Sequence, residues 1–166
     1  MTRRLLAVGL VPLFALAMAS CAGEDQRGTP AHRMSEWVGG TGFGEDIGTL
    51  IADNERVPKD VLNGTGAVHA ACGTLDDDAQ MANDELPTPD QQVTLWLSTA
   101  YGLEGSAGTE CYNAGATNKT LLARAARDAT KAEMLFQRAL VRIQSIDGAV
   151  VSTTTTTENA TGSIFG

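Results

Sequence analysis

An uninterrupted amphipathic pattern runs from about Thr117 to Ile146 and dictates the class of fold open to this chain. Its apolar residues stay on one helical face for about eight turns, and no glycine or proline interrupts them. The face comprises Leu121, Leu122, Ala125, Ala129, Ala132, Phe136, Ala139, Leu140, Ile143 and Ile146. Asp147 and Gly148 then supply a stop signal. A helix of this kind must bury its apolar face against other elements, so the sequence predicts an all-α protein.

Three shorter helical patterns precede this segment, and two of them lie before residue 87. The first spans about Gly44 to Arg56 and is predicted to end at Pro58, while the glycines before it discourage an earlier start. The second follows an apolar stripe from Val68 to Leu86.

The third of these patterns lies between the second one and the long segment. It begins at Thr88-Pro89-Asp90, which combines a capping hydroxyl, a proline at the first helical position and an acid in the first turn. The glycine-rich sequence "YGLEGSAGTECYNAG" (101–115) is predicted to end this helix as a loop. Four amphipathic helices with short connections favour an antiparallel four-helix bundle over residues 36–147.

Polar sequence flanks the predicted bundle on both sides. Residues 21–35 contain glycine and proline and show no apolar periodicity, so they are predicted to form a flexible tether. Residues 148–166 include a run of threonines and little apolar surface, and we expect a disordered tail there.

Residues 1–20 have the composition of an export signal peptide. Two arginines provide positive charge near the start, and an uncharged apolar stretch follows from Leu5 to Met18. That stretch is shorter than the roughly 20 apolar residues that a membrane-spanning helix needs. The small residues at its end fit cleavage by the ordinary signal peptidase before Ser20.

The sequence "MASC" (18–21) offers a second cleavage site, because it resembles the lipobox of bacterial lipoproteins, in which the cysteine becomes the acylated first residue. The number of cysteines favours this second site. An exported chain usually pairs its thiols, and acylation of Cys21 leaves Cys72 and Cys111 as one pair. We therefore predict a lipoprotein that an acyl chain such as palmitate, carried on Cys21, anchors to the extracytoplasmic face of the cell membrane.

A structural disulfide is predicted between Cys72, on the apolar stripe of the second helix, and Cys111, just before the fourth helix. Closing a loop of about 40 residues lowers the entropy of the unfolded chain by an amount worth roughly 4 kcal/mol. A zinc site is the alternative. Two cysteines without a C-x-x-C motif, with only His69 nearby, form a poor set of zinc ligands, so the disulfide is favoured.

Several stretches of the chain resemble uncharacterised exported lipoproteins of actinobacteria that carry a small disulfide-bearing helical domain. They are the lipobox-like residues 18–21, "AVHAACGTL" around Cys72, "LPTPD", and "AYGLEG" leading to "CYNAG". The resemblance covers roughly residues 45–146. It implies the helical fold and the exported, lipid-anchored compartment, and it implies no activity.

The chain is acidic, with 20 Asp and Glu residues against 12 Lys and Arg residues and a formal net charge of −8. Loss of Arg3 and Arg4 with the signal peptide increases this excess. Nucleic acid and anionic lipid both repel an acidic domain, so we expect no nucleic-acid partner. Contact with the membrane is expected through the acyl anchor.

The sequence offers no strong catalytic or metal-binding motif. Asp76, Asp77 and Asp78 would point in different directions from a helix and could not share one cation. His69 lies at the edge of the apolar stripe, too far along the helix from Asp76 for a direct bond. Neither histidine follows a glutamate by three residues, as the E-x-x-H motif of di-iron helical proteins requires. We therefore predict no metal, no cofactor and no catalytic residue.

The predicted fourth helix carries five basic residues within about sixty degrees of one another, beside its apolar face. This basic strip consists of Arg124, Arg127, Lys131, Arg138 and Arg142. One interpretation is ion pairing inside the bundle with acids such as Asp76, Asp78, Asp84 or Glu85. The other is a docking site for an envelope protein, a cell-wall polymer or a phospholipid surface.

Two functional classes remain open. The favoured one is a non-enzymatic structural or interaction module of the cell envelope. The alternative is a small ligand-binding protein or enzyme with a pocket near residues 101–112, where Tyr101, Glu104 and Tyr112 are the polar candidates. A pocket with converging polar groups and a strongly shifted carboxylate would favour the alternative.

Overall fold

The computed structural model describes residues 28–148, which form five α-helices and, within that range, no β-strand. The helices are α1 (Pro30–Thr41), α2 (Phe43–Val61), α3 (Thr65–Asp84), α4 (Gln91–Ala114) and α5 (Lys119–Asp147). The prediction of an all-α fold is confirmed, and the number of helices is corrected from four to five. None of these helices is long and apolar enough to cross a membrane. The predicted signal peptide, Cys21 and nearly all of the predicted tail lie outside the described residues.

Helix α1 is the element that the sequence prediction missed, since it begins at Pro30 inside the predicted tether. The Thr29 hydroxyl accepts a hydrogen bond from the backbone N–H of His32 at 3.2 Å, and the proline occupies the first turn. Packing then holds the helix in place. The indole N–H of Trp37 donates to the backbone oxygen of Glu85 at 3.3 Å. Because these contacts come from distant residues, the local pattern did not reveal the helix.

Helix α2 continues past Pro58, where the sequence predicted its end, and reaches Val61. A proline so near the end of a helix removes only one of its last backbone hydrogen bonds. Val57 and Val61 remain partly buried against the core, and this packing favours the extra turn.

Helix α4 runs through the glycine-rich segment that was predicted to be a loop. A Cβ atom on Gly108 would lie 2.8 Å from the backbone oxygen of Cys72 and 2.9 Å from the backbone nitrogen of Asp76. A Cβ atom on Gly105 would lie 3.1 Å from the Asp76 carboxylate. These glycines therefore allow α3 and α4 to approach closely, and they do not end the helix.

The core lies where α2, α3, α4 and α5 face one another, and each helix packs on the next in the chain. Helix α5 also contacts α1 and α2. The largest fully buried apolar side chains are Phe43, Phe136, Met34, Ile47, Leu50, Leu75, Leu97 and Ile143. On the predicted apolar face of α5, Leu121, Leu122, Ala129 and Ile146 are only half-buried, and the rest are buried. Tyr101 of α4 packs against Phe136 of α5, with ring centroids 5.5 Å apart.

The predicted Cys72–Cys111 disulfide is confirmed, with a Cα–Cα distance of 5.7 Å across a sequence separation of 39. Both cysteines are fully buried. Because α4 extends to Ala114, the bond joins α3 to the last turns of α4. The predicted attachment to the junction before the long helix is corrected accordingly.

Candidate functional site

A groove with a volume of about 500 Å³ opens between α2, α4 and α5. Helix α2 lines it with branched apolar side chains, namely Ile51, Val57 and Val61. Helix α5 contributes mostly alanines, namely Ala123, Ala125, Ala126 and Ala129. Alanine side chains are too small to fill the space between helices that larger apolar residues would close, so the sequence of α5 leaves this volume open.

Glu104 of α4 lines the groove although its side chain is only 1% exposed. The Asn54 side-chain amide nitrogen of α2 donates to both Glu104 carboxylate oxygens, at 2.9 Å each. Burial raises the pKa of Glu104 to about 7, the hydrogen bonds from Asn54 oppose this rise, and the negative charge of Glu133 adds to it. The groove thus contains a fixed, desolvated carboxyl group that titrates near neutral pH.

The charges around the groove have one sign. Glu55 of α2 and Glu133 of α5 line it as exposed side chains, in addition to Glu104. Among the described residues, no lysine, arginine or histidine lines the groove. The ionisable side chains that line the groove are therefore all acidic.

The three predicted polar candidates do not share one pocket. Glu104 lines the groove, whereas Tyr101 is buried at the wall of a more open depression between α3 and α4, with a volume of about 580 Å³. Burial raises the pKa of the Tyr101 phenol. Tyr112 is exposed and stacks on His69, with ring centroids 4.2 Å apart. The loop predicted at residues 101–115 is corrected to helix, since these residues are almost entirely part of α4, and residues of this stretch line both the groove and the depression.

Sequence reasoning missed Asn54 and the alanines of α5 as parts of this site. A signal for Glu104 was present, because it occupies a position on the apolar stripe of α4 that includes Leu97, Tyr101 and Cys111. A carboxylate in the middle of such a stripe must be buried with a partner or border a cavity. Asn54 carried no comparable signal, since its contact with Glu104 spans 50 residues of sequence.

A second group of carboxylates lies between α2 and α3. Asp53 is 6% exposed, and its pKa is raised to about 6. Burial is the main cause, and a hydrogen bond with Asp78 and the negative charge of Asp78 add to it. The positive charge of Arg56 has the opposite effect and lowers the pKa. Burial and the charge of Glu85 raise the pKa of Asp46 to about 6. Within residues 28–148 no three His, Cys, Asp or Glu side chains are arranged to hold a metal ion.

Three members of the basic strip pair with acids of the same bundle. Arg124 contacts Glu110 at 2.7 Å, Lys131 contacts Asp128 at 2.6 Å, and Arg142 contacts Asp90 at 2.9 Å. These partners differ from the acids named in the sequence analysis.

Burial alone would raise the pKa of Asp90. The pKa is lowered nevertheless, because the Val93 backbone N–H and Arg142 donate hydrogen bonds to the Asp90 carboxylate. Arg127 and Arg138 are exposed and form no ion pair with another described residue. Two separated cations make a weaker docking surface than the predicted five.

Comparison of the chain with protein-family models, with curated proteins and with solved structures finds no match to any of them.

Proposed function

We propose that this protein is a lipid-anchored, non-enzymatic component of the cell envelope that binds a small, mostly apolar ligand in the groove between α2, α4 and α5. The observation that carries the proposal is Glu104, a buried carboxylate that borders an open, apolar volume. Burying a charged group costs several kcal/mol, and an apolar residue at this position of the stripe would avoid that cost. Pockets that bind small molecules combine apolar walls with a few fixed polar groups in this way.

Binding is favoured over catalysis because Asn54 holds both carboxylate oxygens of Glu104. A carboxylate held in this way is a fixed acceptor that orients a ligand. A catalytic pair would need a second reactive group within hydrogen-bonding reach of the same substrate atom.

The bundle that carries the groove is inferred to be an antiparallel arrangement of α2 to α5, with α1 added at one side. Contacts that join the start of one helix to the end of the next support this inference. Asp90 before α4 reaches Arg142 near the end of α5, and Glu110 near the end of α4 reaches Arg124 near the start of α5. Connections of only a few residues between consecutive helices agree with it.

The lipid anchor on Cys21 is the part of the proposal that fixes the compartment. Its support is the pairing of Cys72 with Cys111, which leaves Cys21 as the remaining cysteine of the chain. In cells, we expect the native protein in the membrane fraction and a Cys21→Ser variant outside it. Mass spectrometry of the mature amino terminus should find an acylated cysteine; a terminus at Ser20 without fatty acid would contradict the anchor.

A variant that fills the groove tests the binding function. Ala129 is half-buried and lines the groove, so Ala129→Leu should occupy part of the volume. The neutral apolar dye N-phenyl-1-naphthylamine should fluoresce with the full chain and lose most of that fluorescence with the variant. Ala52→Leu, on an exposed position of α2 outside the groove, is the matched control. Equal fluorescence from both variants would show that the dye does not enter the groove.

A further inference from the structure

We infer that the ligand of this groove is an organic monocation with an apolar body, of the class of primary alkylamines, and that Glu104 receives its positive charge. This inference rests on the proposed binding function and adds the chemical class of the ligand.

Charge complementarity selects a cation over the other ligand classes. Glu55, Glu104 and Glu133 line the groove, and no described basic residue lines it. An anionic ligand would meet acidic side chains only, namely the exposed Glu55 and Glu133 and the buried Glu104. A neutral ligand gives an ionised Glu104 no compensating charge, so Glu104 beside such a ligand would hold a proton, whereas a cation favours the ionised carboxylate.

Glu104 also retains the hydrogen-bonding capacity that an ammonium group needs. An ionised carboxylate has about four acceptor sites on its two oxygens. Asn54 uses one site on each oxygen, which leaves acceptor sites for a ligand N–H. An ammonium group with three donors can use these sites and form short, charge-assisted hydrogen bonds.

The walls of the groove fit an apolar body attached to that ammonium group. Ile51, Val57, Val61 and the alanines of α5 provide the lining beyond Glu104. The volume of about 500 Å³ falls within the range of about 300–1,000 Å³ that is typical of small-molecule sites.

Because Glu104 can ionise, the affinity of the groove for a cation should depend on pH. The charged groups that face Glu104 are Glu133 from α5 and Glu55 from α2, while α3 contributes the apolar Leu75. Because burial raises the pKa of Glu104 to about 7, much of the free protein holds a proton there at neutral pH. A bound cation favours the ionised carboxylate, so binding should release a proton and strengthen from pH 5.5 to pH 8.5.

Three probes with the same eight-carbon chain separate the inference from the function on which it rests. Octylamine, 1-octanol and octanoate are titrated into the full chain labelled with ¹³C in its alanine methyl groups. The methyl groups of Ala107, Ala125 and Ala129 report on the groove. At pH 8.5 we expect octylamine to bind about tenfold or more tightly than octanol, and octanoate to bind most weakly.

Glu104→Gln tests the assigned residue. The variant should bind octylamine about tenfold more weakly and bind octanol at least as tightly as the unaltered protein does, which also shows that its groove is intact. Asp77→Asn removes an exposed acid of α3 that does not line the groove, and it is expected to change both affinities less than twofold. If Glu104→Gln closes the groove to octanol as well, the pH dependence of octylamine binding by the unaltered protein decides the matter.

The outcomes distinguish failure of the cation inference from failure of the binding function. Octanol affinity equal to that of octylamine, an octylamine affinity that does not change with pH, or tighter binding of octanoate would overturn the cation inference and leave a ligand-binding groove. Alanine methyl signals that no probe shifts would overturn the binding function and the cation inference together.

Discussion

Gly108 shows how a contact with a neighbouring helix can outweigh a local preference of the chain. Glycine normally weakens a helix interior by about 1 kcal/mol relative to alanine. At Gly108 of α4, however, the backbone of α3 lies so near that no side chain fits. The same residue type therefore has opposite roles at different positions of one helix. Gly102, also in α4, has nothing within 4 Å of its Cβ position.

These two glycines give a matched pair of variants. Gly108→Ala is expected to lower the free energy of unfolding by about 1–3 kcal/mol, because the new methyl group forces α3 and α4 apart. Gly102→Ala should raise it by up to about 1 kcal/mol through helix propensity alone. Denaturant titrations of both variants measure the difference. A neutral or stabilising Gly108→Ala would mean that the two helices are less close than described.

Two carboxyl groups of α2, Asp46 and Asp53, have pKa values that are raised by burial and by the charges of neighbouring acids. The neighbouring acids are Asp78 of α3 and Glu85, which directly follows the end of α3. The guanidinium group of Arg56 lies 3.6 Å from the Asp53 carboxylate and attracts it, but Arg56 is itself more than half exposed. Two helices packed in this way attract each other less when the carboxyl groups are ionised.

The stability of the protein should therefore depend on pH in a defined direction. The pKa values of Asp46 and Asp53 rise from 3.8 to about 6 on folding, so between these values the folded state binds more protons than the unfolded state. The free energy of unfolding then falls as the pH rises through this window. Glu104 extends the fall to about pH 7. Calorimetry should give a higher Tm at pH 5 than at pH 8.

Asp53→Asn should flatten this dependence and raise the Tm at pH 8, because the amide cannot ionise. Asp77→Asn, at an exposed position of α3, provides the control and should keep the slope of the unaltered protein. A Tm that increases from pH 5 to pH 8 would contradict the raised pKa values.

The helices differ in how far local sequence determines them. Helix α5 was predicted within two residues at its start and one at its end, since its apolar periodicity is continuous and Asn118 caps it. Helix α1 was missed because its support comes from distant contacts such as that of Trp37. The end of α4 was misplaced because the glycine rule is local, whereas the packing of Gly108 on α3 is not.

The same distinction applies to the site. Glu104 was identified as a polar candidate from its segment alone, but its groove depends on which helices meet. Asn54 and the alanines of α5 become visible only when α2, α4 and α5 are placed together. Sequence periodicity predicts which face of a helix is buried, and it does not predict which neighbour leaves a gap.

At the scale of the whole molecule, the Cys72–Cys111 disulfide is the one covalent cross-link between side chains of different helices in the described residues. Replacing both cysteines by alanine is expected to lower the free energy of unfolding by roughly 4 kcal/mol, because the unfolded chain regains the freedom of a 39-residue separation. Guanidinium unfolding measures this loss. Cys21→Ser should leave the value unchanged, and a similar loss in that variant would contradict the predicted pairing.

The alanine lining on α5 has a consequence for how such a protein can diversify. Ala123 and Ala126 line the groove at exposed positions, so a larger side chain at either one reduces the space for a ligand without entering the packed interior. Related molecules could thus come to prefer guests of different length by single substitutions along one helix. The acidic side chains that line the groove would stay in place while its volume changed.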